Sequence, residues 1–590
     1  MTPNAYYHTE AEKETQIIDA LQKQVSTFSS LRLLSGIAAI ALLYFAFKNG
    51  TDVWWLLVLG CTALFFIIVN RHNALKEKLR IRAISVQLLQ AELAALDGNI
   101  SSFDAAQEEV DPLHPYTYDL DIFGKGSLFQ LICRSVTLKG KELLVHLFKN
   151  PYTPIETITE RQACIKEMAN MPQFIHTFKL TGTLYEEGKG DRDKILSWLH
   201  MPEKFSNKLL RVVSVVLPVL SAIFIILSII QQTFHPLLTL VIVANWVTLI
   251  IYSKPVKETH LLVGRSVKLV DKYEQLLAAV ATQSFQHPTL ANMQQVSYTS
   301  VAAVTQFRKL VHLFDSRANG MVGPLMNTFF LFDIYCVLKL EKWKRANKDL
   351  LITAVDHVDE TDTFISLANY AFNHPENIYP SFNDALSFEG TTLKHPLLHS
   401  DSVVGNDIHL SDTQRLYLLT GANMTGKSTY IRTVGITLIM SYTGLPICAQ
   451  QANMPLLQLF TSMRITDSVQ EDVSYFKAEL NRMQRIMQET ASGTPYMVLV
   501  DEPLRGTNSD DKQKGTIAII QKLLRVNTIG IVATHDTGLC RLEAEYAPAI
   551  INYHFESTII DGRLHFDYTI KTGGSTSSNA TLLMQQMGII

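Results

Sequence analysis

Residues 416–432 read LYLLTGANMTGKSTYIR, and the architecture of the chain can be worked out from them. Leu416-Tyr-Leu-Leu-Thr420 is a short, uninterrupted apolar run, the pattern of a strand buried on both faces. It enters Gly421-Ala-Asn-Met-Thr-Gly-Lys-Ser-Thr429, and a helical pattern begins at Tyr430. A glycine, four residues, then Gly-Lys-Ser between a strand and a helix is the phosphate-binding loop of nucleotide hydrolases. Its backbone N–H groups and the positive helix N-terminus suit phosphate oxygens. Gly421, Ala422, Asn423, Met424, Thr425, Gly426, Lys427, Ser428 and Thr429 are therefore expected to bind the nucleotide. Lys427 is expected to reach the β- and γ-phosphates, and the Ser428 hydroxyl to ligate Mg²⁺.

Two further strand ends supply the hydrolytic groups. Met497-Val-Leu-Val-Asp501-Glu502 is an apolar strand closing on two carboxylates. Asp501 is expected to hold Mg²⁺ and Glu502 to orient or deprotonate the attacking water. Ile529-Gly-Ile-Val-Ala533 leads to Thr534-His535, which places an imidazole within reach of the γ-phosphate. From about Gly390 onward such runs alternate with helical stretches, the sign of a parallel α/β sheet. ATP and Mg²⁺ are the implied substrate and cofactor.

Upstream the pattern is helical and much more apolar. Residues 33–47, 53–69, 212–230 and 236–252 carry no charge, and each run approaches the ~20 residues that cross a bilayer core. Five residues separate the first two runs and five the last two, so they read as two transmembrane hairpins. Arg71, Lys76, Lys78, Arg80 and Arg82 follow the first hairpin. Lys204, Lys208 and Arg211 precede the second, and Lys254, Lys257 and Arg265 follow it. The positive-inside rule then sets these flanks and the ATPase part in the cytoplasm, in a multi-pass protein of the plasma (inner) membrane. Asn245 is the notable polar group within a run and is expected to hydrogen-bond between helices. Six scattered cysteines without a CxxC pair argue against a disulfide framework or structural zinc site. A net charge of -3 over 590 residues gives no overall electrostatic footprint for nucleic acid.

Beyond the phosphate loop, several spaced segments resemble the ATPase domain of the MutS family, relatives of the ABC ATPases. They are Lys394-His-Pro-Leu397, Asn406-Asp407, Ser474-Tyr-Phe-Lys-Ala-Glu479, Asp501-Glu-Pro-Leu-Arg-Gly-Thr507, Ala533-Thr-His535 and a tail over 573–588. Asp119-Leu-Asp-Ile122 and residues 137–161 look like the family's core and lever region. The resemblance implies an α/β P-loop NTPase domain preceded by an all-α lever and core region, here carrying the two hairpins. It also implies a homodimer formed through the ATPase domains, with Ser474 contacting the nucleotide of the other subunit and Asn508 on the loop between the sites. The expected divisions are a polar helix at 1–30, a hairpin at 31–70 and an amphipathic connecting helix at 71–110. A helical core and lever at 111–390 follows, interrupted by the second hairpin at 209–253, and then the ATPase domain at 391–590.

The departures from the family are informative. Val403 stands where the family commonly has an adenine-stacking aromatic, and Ala422 and Thr425 replace the loop's usual proline and first glycine. The family's mismatch-reading domain is not expected in this sequence, in which some 30 residues precede the first apolar run. The expected function is a membrane-anchored ATPase that couples closure of its dimeric nucleotide sites to the levers and hairpins, acting with the bilayer and an unidentified membrane partner. The alternative is a MutS-type DNA-binding protein for mismatched or branched DNA, tethered to the membrane.

Overall fold

The computed structural model describes residues 2–264, 266–318, 320, 322–398, 403–422, 424–464, 475–560 and 563–575. An N-terminal all-helical region precedes an α/β region. The first two apolar runs lie within very long helices, Pro3–Asn49 and Asp52–Leu96. The divisions expected at residues 30 and 70 therefore fall inside continuous helices. Side-chain polarity changes there, but no glycine or proline interrupts the backbone, and a helix ends where its hydrogen-bond ladder is broken. The connecting helix expected to reach residue 110 stops at Leu96.

The first pair of helices packs through small and aromatic side chains. The Phe45 and Trp54 rings stack at 5.4 Å, and Phe47 meets Trp55 edge-on at 5.2 Å. The second pair is Lys208–Ile230 and Pro236–Thr259. Asn245 is fully buried between them, and its Nδ2 donates to Ser221 Oγ at 3.3 Å, the interhelical bond anticipated from sequence. These four helices are long and apolar enough to cross a membrane, and at most 17% of any one's apolar window is buried.

By contacts the chain divides into two units. The first comprises residues 1–93, 135–140 and 173–362, and the second 94–134, 141–172 and 363–590. Thus the stretch 111–390, expected as one helical region, is shared between them. The reason lies in Asp119, whose buried carboxylate accepts hydrogen bonds from Thr461 Oγ1 at 2.6 Å, Met463 N at 3.2 Å and Arg464 N at 2.9 Å. The neighbouring Leu120 packs against Gly435. Residues around 116–132 are in this way bound to the sheet.

Among the described residues the second unit has ten strands: β1 (Ser381–Asn383), β2 (Phe388–Leu393), β3 (Asn406–Leu410), β4 (Leu416–Thr420), β5 (Gln451–Pro455), β6 (Gln458–Ser462), β7 (Tyr496–Asp501), β8 (Thr528–Ala533), β9 (Ile550–Ile560) and β10 (Arg563–Thr572). A four-stranded sheet runs β1-β5-β2-β3, and the central sheet runs β10-β9-β4-β8-β7-β6. All neighbours in the central sheet are parallel except β10 against β9. Alternate side chains feed different cores. Tyr417, Leu419, Met497, Leu499, Ile529 and Ile531 join one, while Leu416, Leu418, Val498, Val500 and Val532 join the other. With helices on both faces, every residue of β4, β7 and β8 is buried, which explains their continuous apolar sequences.

Candidate nucleotide site

The loops that follow β4 and β7 open on a cavity of about 390 Å³, at the carboxyl ends of the strands where ligands bind in such a sheet. At the end of β4 the loop turns into the Lys427–Tyr442 helix through Gly426, whose φ of +110° suits a residue without Cβ. Thr425 is buried and ties the loop together by donating to Ala422 O at 2.8 Å. Lys427 is also buried, its Nζ donating to Gly421 O at 2.6 Å and Ala422 O at 2.8 Å. Burial pushes the Lys427 amine below its ordinary range, against the pull of the nearby Glu502 and Asp501 carboxylates. Phosphate oxygens would supply the counter-charge that carbonyl dipoles now provide only in part.

Ser428 Oγ donates to Asp501 Oδ2 at 2.5 Å, so the two expected Mg²⁺ ligands meet although far apart in sequence. Asp501 Oδ1 is buried and has no hydrogen-bond partner among the described residues, which leaves a carboxylate oxygen for a cation. A hydroxyl and one carboxylate fit Mg²⁺, which keeps waters and takes its other oxygens from phosphates. Among the described residues no group of three His, Cys, Asp or Glu forms a metal cluster.

Glu502 follows β7 with φ +54°, and its N–H donates to Ala533 O at 2.9 Å, so β8 fixes the turn that aims the side chain into the cavity. His535 Nδ1 lies 3.6 Å from Glu502 Oε1, so two residues singled out separately in the sequence come together. Arg505, quoted in the sequence motif but given no role there, faces both acids: Nε is 3.4 Å from Glu502 Oε2 and Nη2 is 3.7 Å from Asp501 Oδ2. Glu479 binds the next turn, its Oε1 accepting from Leu504 N at 2.5 Å, and burial holds its carboxyl above the usual range. Asn508 caps the Ser509–Leu523 helix, accepting from Asp511 N at 2.8 Å. Asn423, Ser474 and the tail beyond residue 575 lie outside the described residues.

The far end of the cavity contains Val403, as expected, together with Phe555 and Tyr568, which sequence reasoning missed. Tyr568 reaches the site from a bulge in β10, with φ +51° and the residue 44% exposed. Asn406 holds that bulge, donating to Tyr568 O at 3.0 Å and accepting from Ile570 N at 2.8 Å. The ring sits over Gly426, where a Cβ would come within 3.2 Å of Tyr568 Cδ1. A glycine in the loop thus serves two ends: a turn for phosphate and room for an aromatic ring.

Comparison with known proteins agrees with this geometry. Residues 417–588 match the family model of MutS domain V. The chain is 31% identical over 225 residues to a DNA mismatch repair protein MSH3 of Phaeosphaeria nodorum, covering 37% of this chain and 20% of that protein. It is 30% identical over 207 residues to a DNA mismatch repair protein MutS of Thermotoga maritima, covering 34% and 25%. With MutS protein homolog 4 of Homo sapiens it shares 28% identity over 205 residues, covering 34% and 21%. The chain therefore spans about a fifth to a quarter of these relatives. MutS domain V is an ATPase domain, and this chain carries one at its C-terminal end.

Proposed function

We propose that this chain, with a MutS-type ATPase domain V joined to a helical region, is a membrane-anchored ATPase whose dimeric nucleotide cycle acts on its apolar helices. The observation that carries the reading is the pairing, in one chain, of a cavity lined by Lys427, Ser428 and Glu502, with Asp501 bonded to Ser428, and four helices whose apolar faces are almost wholly exposed. In this reading Lys427 exchanges its loop carbonyls for β- and γ-phosphate oxygens, while the loop N–H groups hold the chain of phosphates. Ser428 and Asp501 hold Mg²⁺, which when bound offsets charge on the transferring phosphoryl group. Glu502 orients the attacking water and accepts its proton, with His535 steadying the carboxylate and sensing the γ-phosphate. Tyr568 covers the base in place of the aromatic replaced by Val403. Ser474 and Asn508 complete the site of a second copy, making the homodimer the active form.

The four helices span the plasma (inner) membrane with the ATPase unit in the cytoplasm. Closure of the dimer reaches them along the Asp52–Leu96 and Phe332–Asn373 helices, each of which contributes residues to both units. The test uses full-length protein in vesicles. Lys427→Ala and Glu502→Gln are expected to float with lipid as the parent does while losing ATP hydrolysis by at least about 10²-fold. Glu502→Gln should in addition show an ATP-stabilised dimer by light scattering. Wild-type hydrolysis in Lys427→Ala, or failure to float, overturns the reading. The alternative, a tethered DNA-binding protein, draws support from the relatives' names. Branched, mismatched and fully paired DNA titrated across a salt series decides it, since phosphate contacts give affinity that falls as salt rises.

A further inference from the structure

Beside the second helix pair, the chain folds back on itself. The short apolar helix Val322–Phe330 is followed by Leu331, fully buried at φ +50°, and from residue 323 onward it meets the Phe332–Asn373 helix at 83°. Asn327 Oδ1 accepts from Asp333 N at 2.8 Å and so holds the bend. Asn245, in the middle of the Pro236–Thr259 helix, donates to Thr328 O at 2.9 Å. A side chain from the apolar pair thus satisfies a terminal carbonyl that would otherwise need water. At nine residues the short helix cannot span a bilayer, which suits a segment that dips in and returns.

Between this segment and the Pro236–Thr259 helix lies a groove of about 650 Å³. One wall carries Trp246 and Ile250, both exposed, and further along the same face Lys257 and His260. A rise of 1.5 Å per residue sets Ile250 about 10 Å from Lys257, so the groove is apolar toward mid-helix and basic at its end. His260 belongs to a π-helical turn, His260–Gly264, and a Cβ at Gly264 would come within 2.4 Å of its ring. The facing wall carries Arg317, paired to Asp333 through Nη2–Oδ2 at 2.7 Å and Nε–Oδ1 at 3.0 Å. Gly323 permits this approach, because a Cβ there would lie 2.3 Å from Arg317 O. Lys257 is exposed and has no ion-pair partner among the described residues, and Arg317 is a quarter exposed, with donors beyond those used by Asp333.

We propose that this groove binds one anionic phospholipid of the cytoplasmic leaflet, its phosphate between Lys257 and Arg317 and its acyl chains along Trp246 and Ile250. The site rests on the membrane reading above. A free anion would meet the charges but leave the apolar wall bare, whereas a zwitterionic lipid would cover the wall and leave Lys257 uncompensated. Basic pockets between membrane helices suit headgroups of this kind.

The experiment uses full-length protein in vesicles of phosphatidylcholine with phosphatidylglycerol. After flotation, the protein is extracted into mild detergent and its retained lipid is counted by native mass spectrometry. Phosphatidylglycerol should be retained over phosphatidylcholine by about fivefold or more. Lys257→Gln should bring that ratio close to one, with flotation and ATP hydrolysis unchanged. Arg317→Lys, which keeps the Asp333 pair but loses the fork, should lower it about twofold to threefold. Equal retention by the parent, or undiminished selectivity in Lys257→Gln, overturns the site, as does displacement of the lipid by millimolar inorganic phosphate. Protein that floats without selectivity refutes this site alone; protein that does not float refutes the membrane reading too.

Discussion

Strand β7 and the apolar part of the Asp52–Leu96 helix are built from the same kinds of residue, yet they meet opposite surroundings. All six residues of β7 are buried, whereas none of the helix's most apolar window is. Leu56, Leu59, Leu64, Phe66 and Ile67 are each more than half exposed. In the sheet, neighbouring strands and helices on both faces cover the strand. The apolar part of the helix has one hairpin partner, and the surface it leaves exposed is the one that the proposed membrane anchoring would cover. Apolarity therefore does not by itself say what is inside; length and partners decide it.

The comparison breaks most visibly under a buried charge. Val498→Asp places a carboxylate in β7, where Val498 is 1% exposed, and should cost more than about 4 kcal/mol. ATP binding and the cooperative melt of the second unit should be lost. Leu59→Arg, at a position 71% exposed, should leave ATP hydrolysis in detergent intact and weaken vesicle partition by about 3 kcal/mol. Unaltered flotation in Leu59→Arg would erase the contrast.

Within the second unit, exposure takes on another meaning. Tyr568→Ala should raise the KM for ATP about threefold to tenfold with little change in kcat, as expected for a stacking contact of about 0.5–1.5 kcal/mol. Tyr568→Phe should remain near the parent. An unchanged KM in the alanine variant would remove the ring from the base. A smaller effect is expected among the apolar helices, where Asn245→Leu removes the bonds to Ser221 and Thr328. It should lower stability by about 0.6 kcal/mol, read as a small drop in the thermal midpoint in detergent, without affecting basal hydrolysis.

A contrast of another kind is a pH response confined to the second unit. His114 Nδ1 accepts from Tyr116 N at 3.3 Å and Thr117 N at 3.2 Å, which requires the neutral ring. Burial foremost pushes its pKa from 6.5 down to about 4. A depressed pKa means that its stabilising contribution is fully present above pH 6.5 and is lost as pH falls toward 4. His114→Asn keeps an acceptor without a titrating ring, so the difference in thermal midpoint between pH 7 and pH 4.5 should shrink. An identical pH profile would assign the response elsewhere.

The chemistry was legible wherever it is local. A strand, a glycine turn and a helix N-terminus fix the phosphate loop within a few residues, and Asp501 and Glu502 are marked by ending an apolar run. Tyr568 was not legible, because it reaches Gly426 only through pairing of β9 with β10 and the clamp from Asn406. The bend at Leu331 was hidden for another reason. Phe330-Leu-Phe332 contains neither glycine nor proline, and what holds it is Asn327 with the packing around a buried leucine.

The sequence alone determined the α/β class of the C-terminal part, the candidate nucleotide-site residues at its strand ends and the four long apolar helices, since each follows from periodicity and spacing along the chain. Only the tertiary structure decided that residues 94–134 and 141–172 belong to the second unit, that a tyrosine lines the cavity, and that a short helix folds back against the second apolar pair. Those outcomes depend on single hydrogen bonds and close approaches between segments distant in sequence, made by Asp119, Asn406 and Asn245. Periodicity carries no record of them.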